Sequence, residues 1–552
     1  MQRKITLLAA IMVLVMAIAA CGGSAPAATT TAAAATTTAA ATTAAAETTA
    51  AETTAAAETT TTKAAETTTR ATAAATAATT TAGTTAAVAA AEAPELLWFT
   101  GNPGTIPPDS ALVEEKLNEI SVPLVGARVK IIYLDNDQIQ LSLSSGEYFD
   151  IAFTCEWYNY YAQQALAGYF ADITELVQTV TPALYSDMPP VVWDGAKVNG
   201  KIYAVPAKKD YAAEMFWRFD KELYANLGME IPDAMAFGDV EPYLEAGKKA
   251  FEDGNPLAKV PAPLNIARGG VAGLTSQYDM INQQAMIGIP YSALGTADEN
   301  KVEFVVEHAD VMNCLKDVHK WFTLGYINQD ALTLDTSPAM YTVSPGQGFY
   351  GADAIWAGAV GYPIQISKFS GPYLSTASIR GAMNGFSAKS KYIDLGLKIQ
   401  ELVSTNQEYR DILRYGVPGL HWNETPEGLA QKTQKGRDGY SPWQFAQGSY
   451  ALSRVEAAEG VTVDPNMWSV IFASYADAKA TQTIGFSFDP VAVEAEIGSL
   501  QAIKTKYWES MATGTMDPEE VAQSYIAEAE AAGIRRVVEE CQRQLDEFIA
   551  SN

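Results

Sequence analysis

Leu96-Leu97-Trp98-Phe99 is an unbroken apolar run, and Val129 to Leu134 and Tyr148 to Phe153, around Asp150, read as a second and a third strand. A strand with no polar side must be covered on both faces, as strands of parallel sheets are. Helical spacing fills the gaps between these runs. Val113, Leu117 and Ile120 share one helix face, which Asp109 or Ser110 can cap. Gln138 to Leu143 suits a second helix, ended by Ser145-Gly146-Glu147. Strand–helix alternation of this kind predicts an α/β fold built on parallel-type sheets from Pro94 onward.

The chain before Pro94 is of another kind. Arg3 and Lys4 precede an apolar run from Ile5 to Ala20, the pattern of a signal peptide over residues 1–20. Its end, Ile18-Ala19-Ala20-Cys21-Gly22, resembles a bacterial lipobox, which makes Cys21 the expected lipidation site. Residues 24–93 are nearly all Ala and Thr and have no apolar periodicity. Such a stretch cannot build a core, so residues 21–93 are expected to be a disordered tether that lifts the folded part from the membrane. A helical stalk is the alternative reading.

A chain of 552 residues is long enough for two or three domains. Its formal net charge of −27 opposes a phosphate backbone, which argues against nucleic acid as a partner. Cys155, Cys314 and Cys541 lie beyond the leader, with no Cys-x-x-Cys, so zinc ligation and a redox pair are not expected. Buried thiols are the favoured reading, with one disulfide and a spare thiol as the alternative. His308 and His319 share a helical face but lack a third ligand, so no metal is expected. No Asp-x-Asp-x-Asp loop suggests calcium.

Asn199-Gly200-Lys201-Ile202-Tyr203-Ala204-Val205-Pro206 reads as a short buried strand stopped by Pro206. Glu214 to Arg218 is a return strand, and Phe219 to Gly228 a short helix. In this order the block resembles the lobe crossing of extracellular solute-binding proteins (family 1-like) of bacterial ABC sugar importers. Ser145-Gly146-Glu147 with Asp150, Gly168 to Thr174, and Asn328-Gln329-Asp330 resemble further family segments. Gly348 to Val360 resembles the segment in which the chain returns to the first lobe. Tyr415 to Trp422, and Ala532-Gly533-Ile534 through Asp546, resemble a lipoprotein subgroup with a C-terminal extension. Asn265 to Tyr291 yields no pattern.

The resemblance implies a two-lobe, type II periplasmic-binding-protein-like fold. Lobe 1 is expected over 94–208 and 347–420, and lobe 2 over 209–346 and 421–552 with a C-terminal helical segment. It further implies a monomeric, membrane-anchored binding protein on the extracytoplasmic face. The expected ligand is an oligosaccharide or sugar derivative, held in an interlobe cleft, and the expected partners are ABC permease subunits. No cofactor is implied.

No Gly-x-Ser-x-Gly, His-Glu-x-x-His or Walker loop occurs, and the chain is read as a receptor rather than an enzyme. Two carboxylates suffice for a glycosidase, so an anchored polysaccharide hydrolase is the alternative; a peptide receptor is another. Sugar recognition needs flat aromatic faces and planar polar groups. The candidates are Trp98 and Phe99 at the first strand, Glu156, Trp157 and Tyr158 after the third, and Asp210 past the crossing. Trp217, Arg218, Trp356 and Trp443 complete the set. For each Trp, core packing is the competing role.

Overall fold

The computed structural model describes residues 93–101, 106–443, 447–457 and 462–551, without the side chains of 358 and 359. The expected signal segment, Cys21 and all but the last residue of the tether lie outside the described residues.

The chain opens with β1 (Glu95–Gly101), α1 (Ser110–Val125), β2 (Arg128–Leu134), α2 (Asn136–Ser145) and β3 (Ile151–Thr154). Asp135 closes a capping box with Gln138 at the start of α2, and Gly146 ends it with φ 78°, a left-handed value that Gly adopts without strain. After β4 (Ala204–Pro206) come β5 (Ala213–Asp220), α3 (Glu241–Glu252), β6 (Tyr278–Asn282), β7 (Ile287–Pro290), β8 (Glu303–Phe304) and α4 (Ala309–Thr323). Next are β9 (Val343–Gln347), α5 (Ala352–Val360), β10 (Ile364–Leu374), β11 (Met383–Phe386), α6 (Ile393–Thr405) and α7 (Gln407–Tyr415). The chain closes with α8 (Met467–Ser474), β12 (Lys479–Ala480), α9 (Glu494–Ala512), α10 (Pro518–Ala531) and α11 (Ile534–Ser551). Asp517 caps α10 and Pro518 takes its first position, as their order suggests.

Two sheets carry the fold. The first has strand order β2-β1-β3-β11-β4. β2, β1 and β3 are parallel, as the alternation predicts. β11 is antiparallel to both β3 and β4, because no helical crossover delivers it. The second sheet, β9-β5-β10-β12, has β5 antiparallel to both its neighbours. A three-stranded sheet, β8-β7-β6, takes β6 and β7 from the stretch whose sequence shows no pattern.

Both faces of β1 are covered. Trp98 joins one apolar cluster with Leu117, Leu397 and Leu413, while Phe99 joins another with Phe149 and Phe153. β5 likewise sends Phe216 into the first cluster and Met215, Trp217 and Phe219 into a further one with α3, α4 and the C-terminal helices.

Three passages link the sheets: residues 207–212 from β4 to β5, residues 375–382 from β10 to β11, and the segment around 475–493 from α8 to α9. The return to the first sheet is later than Gly348–Val360, because β10 still pairs with β5. The segment expected to start lobe 2 at 421 behaves differently too. Leu429, Tyr440, Tyr450 and Trp468 pack in the first cluster, and from Phe486 on the side chains join the cluster behind β5.

Candidate functional site

The turn after β3 is built before it is decorated. Thr154 Oγ1 donates to Asn159 O (2.9 Å), Asn159 Nδ2 to Phe153 O (3.0 Å), and Asn159 N to Asn136 Oδ1 (2.9 Å). Asn159 has φ 54°, which Asn tolerates better than most residues. Cys155 N and Tyr158 O close the turn at 2.8 Å.

That rigid turn presents Trp157 at the C-terminal end of a parallel strand, the edge at which open α/β sheets bind ligands. Trp157 is 38% exposed. Its ring meets Trp443 edge-on at 5.2 Å and Tyr158 at 6.0 Å. Trp443 in turn packs on Phe153 at 5.2 Å and on Tyr158 at 5.5 Å. Glu156, beside them, gives its carboxylate to Arg380 at 2.9 Å. The structure thus brings Trp443 from far along the chain to the consecutive residues Glu156, Trp157 and Tyr158.

A second group gathers on the first passage. Tyr211 stacks on Phe472 (5.7 Å, 12°) and meets Tyr475 edge-on at 4.9 Å. Trp468 packs against Phe472, Tyr450 and Phe349. Asp210 is buried and lies 3.0 Å from Lys209, while buried Glu214 pairs with Lys368 at 3.0 Å. Burial holds the Tyr475 phenol far above its ordinary pKa, and the Asp210 and Glu214 carboxylates push it further. It therefore stays a neutral hydroxyl beside two acids.

Arg218 and Trp356 also meet. The guanidinium lies 4.9 Å from the Trp356 ring centre and 5.0 Å from that of Tyr341, and donates to Ser344 Oγ (2.6 Å) and Pro345 O (2.7 Å). Burial lowers its pKa.

The strand-borne Trp98, Phe99 and Trp217 are core residues, and Trp356 is buried as deeply. Trp98 and Trp217 lie in different apolar clusters, and Phe99 stacks on Phe149 at 5.4 Å. Trp217 is enclosed by Phe237, Trp321 and Phe369. Their strands are covered on both faces, so the rings have no free side.

The reading of the residues missed Trp468, Phe472 and Tyr475. Their spacing, four and then three residues, is that of one helix face and was the available signal. Arg380 carried no signal at all. A shallow pocket lined by residues such as Phe237, Leu274, Tyr278 and Cys314 lies against the cluster behind β5. Its lining shares no residue with either ring group.

The histidines serve packing and hydrogen bonding. His319 Nδ1 is 2.8 Å from Gly514 O. His421 Nδ1 accepts from Val417 N at 2.9 Å, so its Nε2 carries the proton toward Asp109 at 3.1 Å. Lys435 and His421 hold the Asp109 carboxyl below its usual range, with the Lys435 bond the larger cause. Asp109 thereby stands at the head of α1 without capping it. Among the described residues no group of His, Cys, Asp and Glu is arranged to hold a metal, and no helix is long and apolar enough to cross a membrane.

Comparison with known proteins places this geometry. Residues 482–550 match a family described as a domain of unknown function (DUF3502). A carbohydrate ABC transporter substrate-binding protein of Streptococcus pneumoniae serotype 4 is 27% identical over 451 residues, 78% of this chain and 87% of that one. The crystal structure of the N-glycan transport solute binding protein NgtS of Streptococcus pneumoniae superposes with a TM-score of 0.73 at 25% identity, over 83% of this chain and 99% of that one. Its complex with Man5GlcNAc gives a TM-score of 0.65 over the same shares. The Streptococcus pneumoniae substrate binding protein FusA, in complex with kestose, shares the fold at 14% identity and a TM-score of 0.53, over 83% of this chain and all of that one. The likeness to extracellular solute-binding proteins read from the motifs therefore holds in both sequence and fold, and the fold is the two-lobe type II architecture.

Proposed function

We propose that this chain, built like the solute-binding proteins of ABC importers, captures an oligosaccharide and hands it to permease subunits for import. The observation that carries the reading is the half-exposed Trp157 ring, braced by Trp443 and Tyr158 at the C-terminal end of β3. An indole held this way offers a flat apolar face to the C–H patches of a pyranose. Asp210 on the first passage and Arg218 of β5, with the buried Trp356 ring of α5 against it, complete the ligand face in this reading. Glu156 supports it through Arg380. The two-lobe boundaries follow the three passages.

The relatives whose names support this reading are binding proteins of transporters, and capture without turnover is the expected chemistry. The N-terminal sequence supports export, processing at Cys21 and attachment by acyl chains, with residues 21–93 as the tether on the extracytoplasmic side. The protein acts as a monomer in this reading.

Calorimetry against a panel of neutral oligosaccharides that includes Man5GlcNAc and kestose tests the proposal. Saturable one-to-one binding, with the glycan recovered intact, supports capture. A folded sample that binds none of them removes the carbohydrate reading, and release of shorter products from a labelled glycan replaces it with the hydrolase.

A further inference from the structure

We propose that Arg380 is a positioning residue that ties the Glu156-Trp157 turn to the passages between the two sheets; this deepens the carbohydrate-capture reading and rests on it. Arg380 lies in the second passage, directly after the short helix Thr376–Ile379, and is 1% exposed. Its Nε donates to Gly195 O at 2.7 Å. Nη1 donates to Glu156 Oε1 at 2.9 Å and to Ser487 Oγ at 3.1 Å. Nη2 donates to Lys197 O at 2.5 Å and to the same Ser487 Oγ at 3.1 Å. Every N–H of the fork is thereby used. The guanidinium also lies over the Tyr161 ring, 5.4 Å from its centre.

Stability alone is a poor reason for such a group. Burying a guanidinium costs several kcal/mol, and apolar packing of the same volume is often as good. What distinguishes Arg380 is the set of segments it joins. Glu156 belongs to the turn that presents Trp157. Gly195 and Lys197 end the short helix Pro190–Ala196, and Ser487 lies in the third passage. Gly195 permits the approach, because a Cβ there would stand 2.5 Å from the Ile379 side chain.

The passages are otherwise tied to one another. Ala207 N donates to Ala382 O at 2.9 Å, and Ser378 Oγ to Tyr211 O at 2.8 Å. Thr376 Oγ1 donates to Thr483 O at 2.8 Å and accepts from Gly485 N at 3.0 Å. Any rotation of one sheet against the other must bend this knot. Arg380 sits in it and holds Glu156 at its far end, so the pose of the exposed indole depends on the state of the passages.

The test uses Glu156→Gln and Arg380→Lys in the full chain, with two readouts. Amide hydrogen exchange without ligand is expected to rise about tenfold at residues 155–160 in both variants, as a local opening made easier. Affinity for a panel glycan bound by the wild type is expected to fall about tenfold in Glu156→Gln, and the loss is expected to shrink when Trp157→Ala is already present, as coupled sites behave. Unchanged exchange at 155–160 overturns the tie. Affinity losses that multiply across Trp157→Ala and Glu156→Gln overturn the positioning role. If the wild type binds no glycan, the capture reading falls, while the exchange readout still decides the tie.

Discussion

Nε1 of Trp98 donates a 3.0 Å hydrogen bond to Oδ1 of Asn384, fastening β1 to β11 across 286 residues of chain. The bond spans β3, which lies between those strands. It joins the first strand of the fold to the strand by which the chain returns, and both residues are buried. A residue that composition offers as a sugar platform is here a fastener of the first sheet.

Trp98→Phe keeps most of the apolar volume and removes the donor. Asn384 then has a buried carbonyl oxygen with no partner, and its Nδ2 already lacks one. The variant is expected to lose about 1–3 kcal/mol of stability in chemical denaturation, with glycan affinity unchanged. A large loss of affinity with unchanged stability would return Trp98 to the ligand face.

Trp157→Ala is expected to do the reverse. The ring is part-exposed, and the turn beneath it is held by its own hydrogen bonds through Asn159 and Thr154. Removing it should weaken oligosaccharide binding by about 1–3 kcal/mol, with a much smaller effect on the melting temperature. Titration calorimetry and thermal unfolding on one preparation separate the two effects.

Asp279 gives a pH dependence of defined sign. Its buried carboxylate accepts from the hydroxyls of Thr481 and Thr483, and burial raises its pKa. Above that raised folded value the group is charged in both states, and the native state carries the full desolvation cost. As pH falls through it, the native carboxyl takes its proton before the unfolded one does, and the cost is relieved. Asp279→Asn should therefore stabilise the protein at neutral pH by about 1 kcal/mol, with the advantage fading toward acid. Urea unfolding of both proteins from pH 4 to pH 7 checks the sign, and an advantage that grows toward acid would refute it.

None of the three thiols beyond the leader is in a disulfide. Cys155 and Cys541 are buried and Cys314 is partly so. Burial pushes the Cys314 thiol up to about 11 and the Cys541 thiol up to about 12, so neither forms an appreciable thiolate near neutrality. Native protein should react with a thiol-specific reagent at Cys155 and Cys541 only after unfolding. Fast labelling of Cys541 in the native state would contradict its place against the C-terminal helices.

What the residues determine by themselves is local. The apolar run at Leu96–Phe99 suits a strand covered twice, and the caps at Asp135, Gly146 and Asp517 act over one helical turn. The character of residues 24–93 is equally local, a matter of composition without periodicity. The motifs at the crossing and in the tail were enough to expect a two-lobe binding protein. The tertiary structure alone decided which rings are packed and which are offered. Trp98, Trp157, Trp217 and Trp443 are one residue type, and only the path of the chain leaves Trp157 part-exposed while the other three are buried. The order of crossing is of the same kind, since β10 pairs with β5 before the chain turns back. Arg380 is the extreme case: its partners lie at 156, 195, 197 and 487, and no window of sequence holds them together. Burial and long-range hydrogen bonds depend on what the rest of the chain brings alongside, whereas propensity and periodicity depend only on neighbours along it.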